Sequence, residues 1–162
     1  MQESSAIRLR PARGDEAGEI SDLVARAFAA YTPLIGQPPA PVLYDYGALV
    51  GTGRVTVAVE GAVEGAVGGA GILGMIYVYP EGDGAVMLDV LAVSQAARGR
   101  GLAKRLIAGA EAKARAQGAP LMRVYTNAVM AGPQAIYPRL GYRETHRGES
   151  DGYMRIHYEK TL

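Results

Sequence analysis

The run from Met87 to Gly118, MLDVLAVSQAARGRGLAKRLIAGAEAKARAQG, changes character part-way along and so constrains the fold more than any other stretch. Val86 to Val93 is almost all apolar, short, and rich in Val and Leu, which suits a strand covered on both faces. From Leu102, apolar side chains recur at 102, 103, 106, 107, 110 and 114, the stripe of a helix. Lys104, Arg105, Glu111, Lys113 and Arg115 fall to its polar side, with Glu111 and Arg115 spaced for an i,i+4 pair. Gln117-Gly118-Ala119-Pro120 ends the helix, because Gly accepts the left-handed cap and Pro cannot continue the helical ladder.

Strand and helix are joined by Ala97-Arg98-Gly99-Arg100-Gly101. Two glycines allow a tight turn and a close approach of ligand to backbone. The helix start leaves amides without partners, and its dipole favours an anion. Arg98, Arg100, Lys104 and Arg105 crowd that same positive end, where each cation is disfavoured by about 0.3–1 kcal/mol unless an anion offsets it. A solvated basic turn is the plain alternative; the coincidence of glycines, helix start and cations favours a phosphate. It is not the phosphate loop of a nucleoside triphosphatase, since no Gly-Lys-Ser/Thr is present. A dinucleotide fingerprint is also weak: Lys104 stands where a third small residue belongs, and Pro120-Leu121-Met122 offers no acid about 20 positions on.

The flanking chain reads as strands, short helices and turns. Ala6–Arg10 alternates like a strand closed by Pro11, and Gly14-Asp15-Glu16 opens a helix whose apolar stripe is Ile20, Leu23, Val24, Ala27 and Phe28. That helix is expected to end near Tyr31-Thr32-Pro33, before a proline-rich loop and a short helix near Val42–Val50. Arg54–Glu60 and Ile72–Tyr79 read as strands that form an antiparallel meander with Val86–Val93. The Gly/Ala/Val stretch between them, with its two GAV repeats, reads as a hairpin connection. Leu121–Thr126 is a strand expected to run parallel to Val86–Val93, because a helix intervenes. A short helix from Pro133 to near Leu140 and two final strands, Tyr142–Arg147 and Tyr153–Thr161 about a loop at Gly148–Gly152, complete the chain.

The whole is expected to be one α/β domain spanning 1–162, a three-layer arrangement with a mixed, mostly antiparallel sheet of seven strands and about four helices. A net charge of +1 argues against bulk nucleic-acid binding or strong attraction to a membrane, and no apolar run reaches the roughly 18 residues a membrane span needs. The chain has no cysteine, which excludes disulfides, thiolate metal sites and a covalent Cys intermediate, and fits a cytoplasmic home. His146 and His157 lack metal-ligand spacing, so no metal is expected.

Two segments resemble the GNAT superfamily of N-acetyltransferases. Ala96-Ala97-Arg98-Gly99-Arg100-Gly101 lies on that superfamily's Gln/Arg-x-x-Gly-x-Gly/Ala acetyl-CoA motif, with Ala96 in place of the first Gln or Arg. Ile136-Tyr137-Pro138-Arg139-Leu140-Gly141-Tyr142 resembles its Tyr-x-x-Leu-Gly-Phe/Tyr motif, with Pro133 where a polar residue often precedes the tyrosine. Asn127 and Met130 also fit a Thr-Asn-x-x-Met variant. Together the two motifs frame nearly the whole chain.

The resemblance implies the acyl-CoA N-acyltransferase fold and acetyl transfer from acetyl-CoA to a primary amine. It implies that Leu91, Ala92 and Val93 hold the pantetheine arm through free backbone groups. Arg98, Gly99, Arg100, Gly101, Leu102, Ala103 and Lys104 would hold the pyrophosphate, and Asn127 would also contact the cofactor. It implies Tyr137 as the acid that protonates the departing thiolate; a phenol of pKa about 10 is neutral at pH 7. Asp89, the one charge inside its strand, is the candidate base. By period two it shares a face with Met87, Leu91 and Val93, and the structural alternative is an ion pair, for instance with Arg123. Tyr31, Tyr44 and Tyr46 lie where the superfamily covers its acceptor, and surface packing is their plain alternative. The acceptor is a small-molecule or protein amine, and a homodimer is common in such proteins. A non-catalytic acyl-CoA-binding or regulatory domain is the competing reading.

Overall fold

The computed structural model describes residues 6–61 and 71–162, with the backbone alone at Pro133. The Gly/Ala/Val connection at 62–70 lies outside the described residues. One seven-stranded sheet carries β1 (Ile7–Pro11), β2 (Val55–Glu60), β3 (Ile72–Pro80), β4 (Val86–Val93), β5 (Leu121–Asn127), β6 (Arg143–Ser150) and β7 (Tyr153–Thr161), in the order β1-β2-β3-β4-β5-β7-β6. All neighbours are antiparallel except β4 and β5, which are parallel, as a crossover helix between them requires.

The helices are α1 (Ala17–Phe28), the single turn α2 (Thr32–Ile35), α3 (Tyr46–Gly51), α4 (Leu102–Ala116) and α5 (Ala131–Arg139). Four of them exceed one turn, in line with the expected count. Pro33 sits in the first turn of α2, where its missing N–H loses nothing, so the chain stays helical beyond the expected stop. Asp45 caps α3 by accepting from the Ala48 amide at 3.1 Å.

Each sheet face carries its own core. Val55, Val57, Met75, Val90 and Ala92 pack under the Ile20, Leu23, Val24 and Phe28 stripe of α1 and the Tyr46 and Val50 face of α3. On the other face Ile76, Leu88, Met122, Val124 and Ile156 meet Leu102, Leu106 and Ile107 of α4 and Tyr137 of α5. At Gly74 the start of α4 comes close to β3. A Cβ there would stand 3.1 Å from the Ala92 carbonyl and 3.2 and 3.3 Å from Leu106 and Leu102, so the absent side chain seats the helix start against β3.

Two details depart from the sequence reading. The terminal hairpin turns at Asp151-Gly152 alone, both with positive φ (52° and 83°), so β6 runs on to Ser150. Glu111 belongs to the core and not to the polar face of α4. It is 6% exposed and accepts from the Tyr142 hydroxyl at 2.8 Å and from Lys160 at 3.1 Å. Lys160 and Tyr142 reach it from β7 and from just before β6, so sequence spacing alone pointed to the nearer Arg115.

Candidate active site

Between β4 and β5 the pairing stops early. Val86, Met87 and Leu88 pair with Met122, Arg123 and Val124, and beyond that point both strands continue unpaired with each other. A cavity of about 400 Å³ fills the opening. Leu91, Ala92 and Val93 line it from β4, Tyr125, Thr126 and Asn127 from β5, and Ile136 and Tyr137 from α5.

One end of the cavity reaches the glycine loop through Arg98 and Ala103. Gly99 and Gly101 both take positive φ (79° and 71°), and Gly101 is the N-cap of α4. Among the described residues no side chain caps this helix. Arg105 is the first residue whose amide bonds back, to the Gly101 carbonyl at 3.1 Å, so the amides of Leu102, Ala103 and Lys104 are left for another acceptor. The space where a Cβ would lie at Gly99 and Gly101 is open. Two of the four expected cations are partly engaged elsewhere: Arg100 pairs with Glu60 at 3.0 Å, and Arg105 donates to the Ile7 carbonyl at 3.0 Å. Arg98 and Lys104 remain exposed beside the loop. Further in, the Thr126 hydroxyl is buried and has no hydrogen-bond partner among the described residues. An unpaired hydroxyl in the gap, unpaired amides at its mouth and an uncapped positive helix end suit a long polar ligand that ends in phosphate.

The other end is built around Asp89. Tyr77 pairs with Val90 and Val78 with Leu88, so Asp89 is an extra residue, a β-bulge. The bulge reverses the alternation along β4: Leu88, Leu91 and Val93 face α4, while Val90 and Ala92 face α1 and α3. Asp89 therefore does not share a face with Leu91 and Val93. Its carboxylate turns toward the α1–α3 side and accepts from Tyr44 (3.1 and 3.2 Å to the two oxygens) and from the Tyr125 hydroxyl. Burial raises its pKa above the ordinary Asp value, even though both hydroxyls and the charge of Arg155 act to lower it. Arg123 is not its partner. That guanidinium is taken by Glu81 (2.9 Å) and Asp83 (2.7 Å).

The three acceptor-side tyrosines have different places. Tyr31 lines the cavity. Tyr44 holds Asp89. Tyr46 is 3% exposed, packs in the core and donates to the Pro41 carbonyl at 2.6 Å, so it presents no free group to a ligand. Tyr137 is also 3% exposed, lies edge-on to Tyr142 with ring centroids 5.6 Å apart, and borders the cavity. Burial raises its pKa, so its hydroxyl stays protonated. Sequence reasoning missed Tyr125 and Arg155. Period two on β5 would have aligned Tyr125 with Arg123, but only the register of β7 brings Arg155 beside it.

The family model described as "Acetyltransferase (GNAT) domain" matches residues 51–144, more than half the chain. The chain belongs to the GNAT acetyltransferase family. Solved GNAT structures share the fold. A GNAT-family acetyltransferase from Staphylococcus aureus superposes with a TM-score of 0.77 at 14% identity, over 97% of this chain and 99% of that one. The PaiA N-acetyltransferase of Thermoplasma acidophilum, solved in complex with coenzyme A, gives 0.74 at 12% identity over 97% and 99%. A protein from Acinetobacter baylyi described as a candidate acetyltransferase gives 0.73 at 19% identity over 100% and 95%. No curated protein sequence matches the chain. Among the described residues no helix is long and apolar enough to cross a membrane, and no cluster of His, Cys, Asp and Glu is placed to hold a metal ion.

Proposed function

We propose that this GNAT protein transfers acetyl from acetyl-CoA to a primary amine by direct attack. The observation that carries the reading is the gap between β4 and β5, which joins the uncapped start of α4 to Asp89 through one cavity. The pyrophosphate lies on the Leu102–Lys104 amides with Gly99 and Gly101 allowing its approach, and Arg98 and Lys104 add charge. Leu91, Ala92 and Val93 hold the pantetheine along the unpaired edge of β4, with Thr126 and Asn127 opposite.

The amine enters as an ammonium and gives one proton to Asp89, whose raised pKa brings it nearer the working pH of a base. The nitrogen then attacks the thioester carbonyl, the C–N bond forms, and the C–S bond breaks as the intermediate collapses. The nitrogen loses its second proton, and the thiolate takes one from Tyr137, which regains it from solvent; one proton is released net. The dry surroundings that raise the phenol's pKa also raise that of a thiol beside it, which strengthens the thiolate as a proton acceptor. With no cysteine in the chain, the acetyl group is not carried on a thiol of the protein.

Calorimetric titration with acetyl-CoA, free CoA and NAD tests the site, followed by an amine panel. Micromolar binding of both CoA species, none of NAD, and release of CoA with at least one amine are expected. Absence of CoA binding contradicts the reading. CoA binding without turnover on any amine supports a non-catalytic acyl-CoA-binding domain instead.

A further inference from the structure

We infer that the acetyl acceptor carries a carboxylate beside its amine, as an amino acid does, and that Arg155 binds it. This rests on the acetyl-transfer reading above. Arg155 is 7% exposed yet lines the cavity next to Tyr125 and Asp89. A buried guanidinium is expensive to leave unpaired. Its Nη1 is used, donating to the Ser150 hydroxyl at 3.1 Å and to Asp151 at 2.9 Å. Asp151 is a weak counter-ion, for its side chain is 83% exposed at the hairpin tip, where water screens the pair. Nε and Nη2 have no hydrogen-bond partner among the described residues. Two parallel donors on one guanidinium match the two oxygens of a carboxylate.

The guanidinium is held in place by rings. Its carbon lies 4.3 Å from the centroid of Tyr125 and 5.3 Å from that of Tyr153. The Tyr125 hydroxyl in turn donates to Asp89. One tyrosine therefore spans from the cation to the candidate base, and both charges line the same cavity. A simple ammonium entering here would meet the repulsion of Arg155 along with the attraction of Asp89. A zwitterion satisfies both. On this side Gln37 donates to the Gly152 carbonyl at 3.0 Å and the Tyr153 hydroxyl to the Pro38 carbonyl at 2.7 Å, tying the loop before α3 to the hairpin that carries Arg155.

The test compares the common L-amino acids with their carboxamides as acceptors, by kcat/KM, in the wild type and in Arg155→Lys and Arg155→Met, with acetyl-CoA affinity measured alongside to report an intact fold. At least one amino acid is expected to exceed its carboxamide by about a hundredfold or more, since the amide leaves the guanidinium unpaired. The preference is expected to shrink in Arg155→Lys, which keeps the charge without the fork, and to vanish in Arg155→Met. Equal turnover of acid and amide by the wild type would overturn this inference and leave acetyl transfer standing. Turnover of neither, with acetyl-CoA bound, would overturn this inference, and would overturn acetyl transfer as well only if no other amine of the panel is acetylated.

Discussion

Glu111 and Asp89 are both withdrawn from solvent, and their surroundings differ in the way that separates structure from chemistry. Glu111, in the middle of α4, accepts from one tyrosine and is closed off by Lys160. Asp89, on the bulge of β4, accepts from two tyrosines, has no cation in contact among the described residues, and borders the cavity. A buried carboxylate with an ammonium against it is a finished structural unit. One held only by neutral hydroxyls, with its pKa pushed up by burial, is left with an affinity for a proton or a cation that the fold does not satisfy. Both sites use tyrosine as donor, so the counter-ion and the opening to the cavity make the difference.

The comparison is sharpest under substitution. Asp89→Asn is expected to lower kcat/KM by about 10²-fold or more, within the range for loss of a general base, with acetyl-CoA affinity unchanged. Normal activity on a good acceptor would move Asp89 to the structural class. Glu111→Ala should do the reverse: about 2 kcal/mol less stable in denaturant unfolding, because the Tyr142 hydroxyl and Lys160 lose their partner, with kcat per folded molecule retained. A loss of kcat without a loss of stability would break the contrast. Tyr137→Phe is expected to keep acetyl-CoA affinity and lower turnover by at least about tenfold, or ~1.4 kcal/mol of barrier; unchanged turnover would remove Tyr137 from the mechanism and leave it a core ring beside Tyr142. Gly101→Ala should destabilise by about 1 kcal/mol through its positive φ, and weaken acetyl-CoA binding while leaving both carboxylates alone. The smallest effect is thermodynamic. Between the ordinary Asp value of about 3.9 and Asp89's raised value, the folded state holds the proton more tightly than the unfolded chain. Stability from this group is full below the lower value and is lost as pH rises through the upper one. Asp89→Asn should remove that fall from a plot of Tm against pH.

The stretch from Val86 to Ala116 was legible because strand, glycine turn and helix each obey a local rule, and the structure has β4 and α4 where the apolar pattern puts them. The parallel placement of β5 followed from the intervening helix. What was not legible depends on register between distant segments. The bulge that re-aims Asp89 comes from the pairing of β4 with β3, and nothing in MLDVLAV marks it. Glu111 looked like a surface residue because helical spacing offers Arg115, whereas its partners arrive from β7 and the turn before β6. Arg155 reads as one more charged residue on a terminal strand until β7 pairs with β5 and sets it over the Tyr125 ring. Tyr44 and Tyr46 look equivalent in DYG-type surroundings, yet one holds Asp89 and the other closes the core on Pro41.

The most direct measurement is the pH profile of kcat/KM for the wild type, Glu111→Ala and Asp89→Asn with the same acceptor. The wild type and Glu111→Ala are expected to show an acid limb with its midpoint above the ordinary Asp value, where Asp89 gives up its proton, and Asp89→Asn is expected to lose that limb and keep only the dependence set by the acceptor's own ammonium. An acid limb that survives unchanged in Asp89→Asn would contradict this and assign the base to another group.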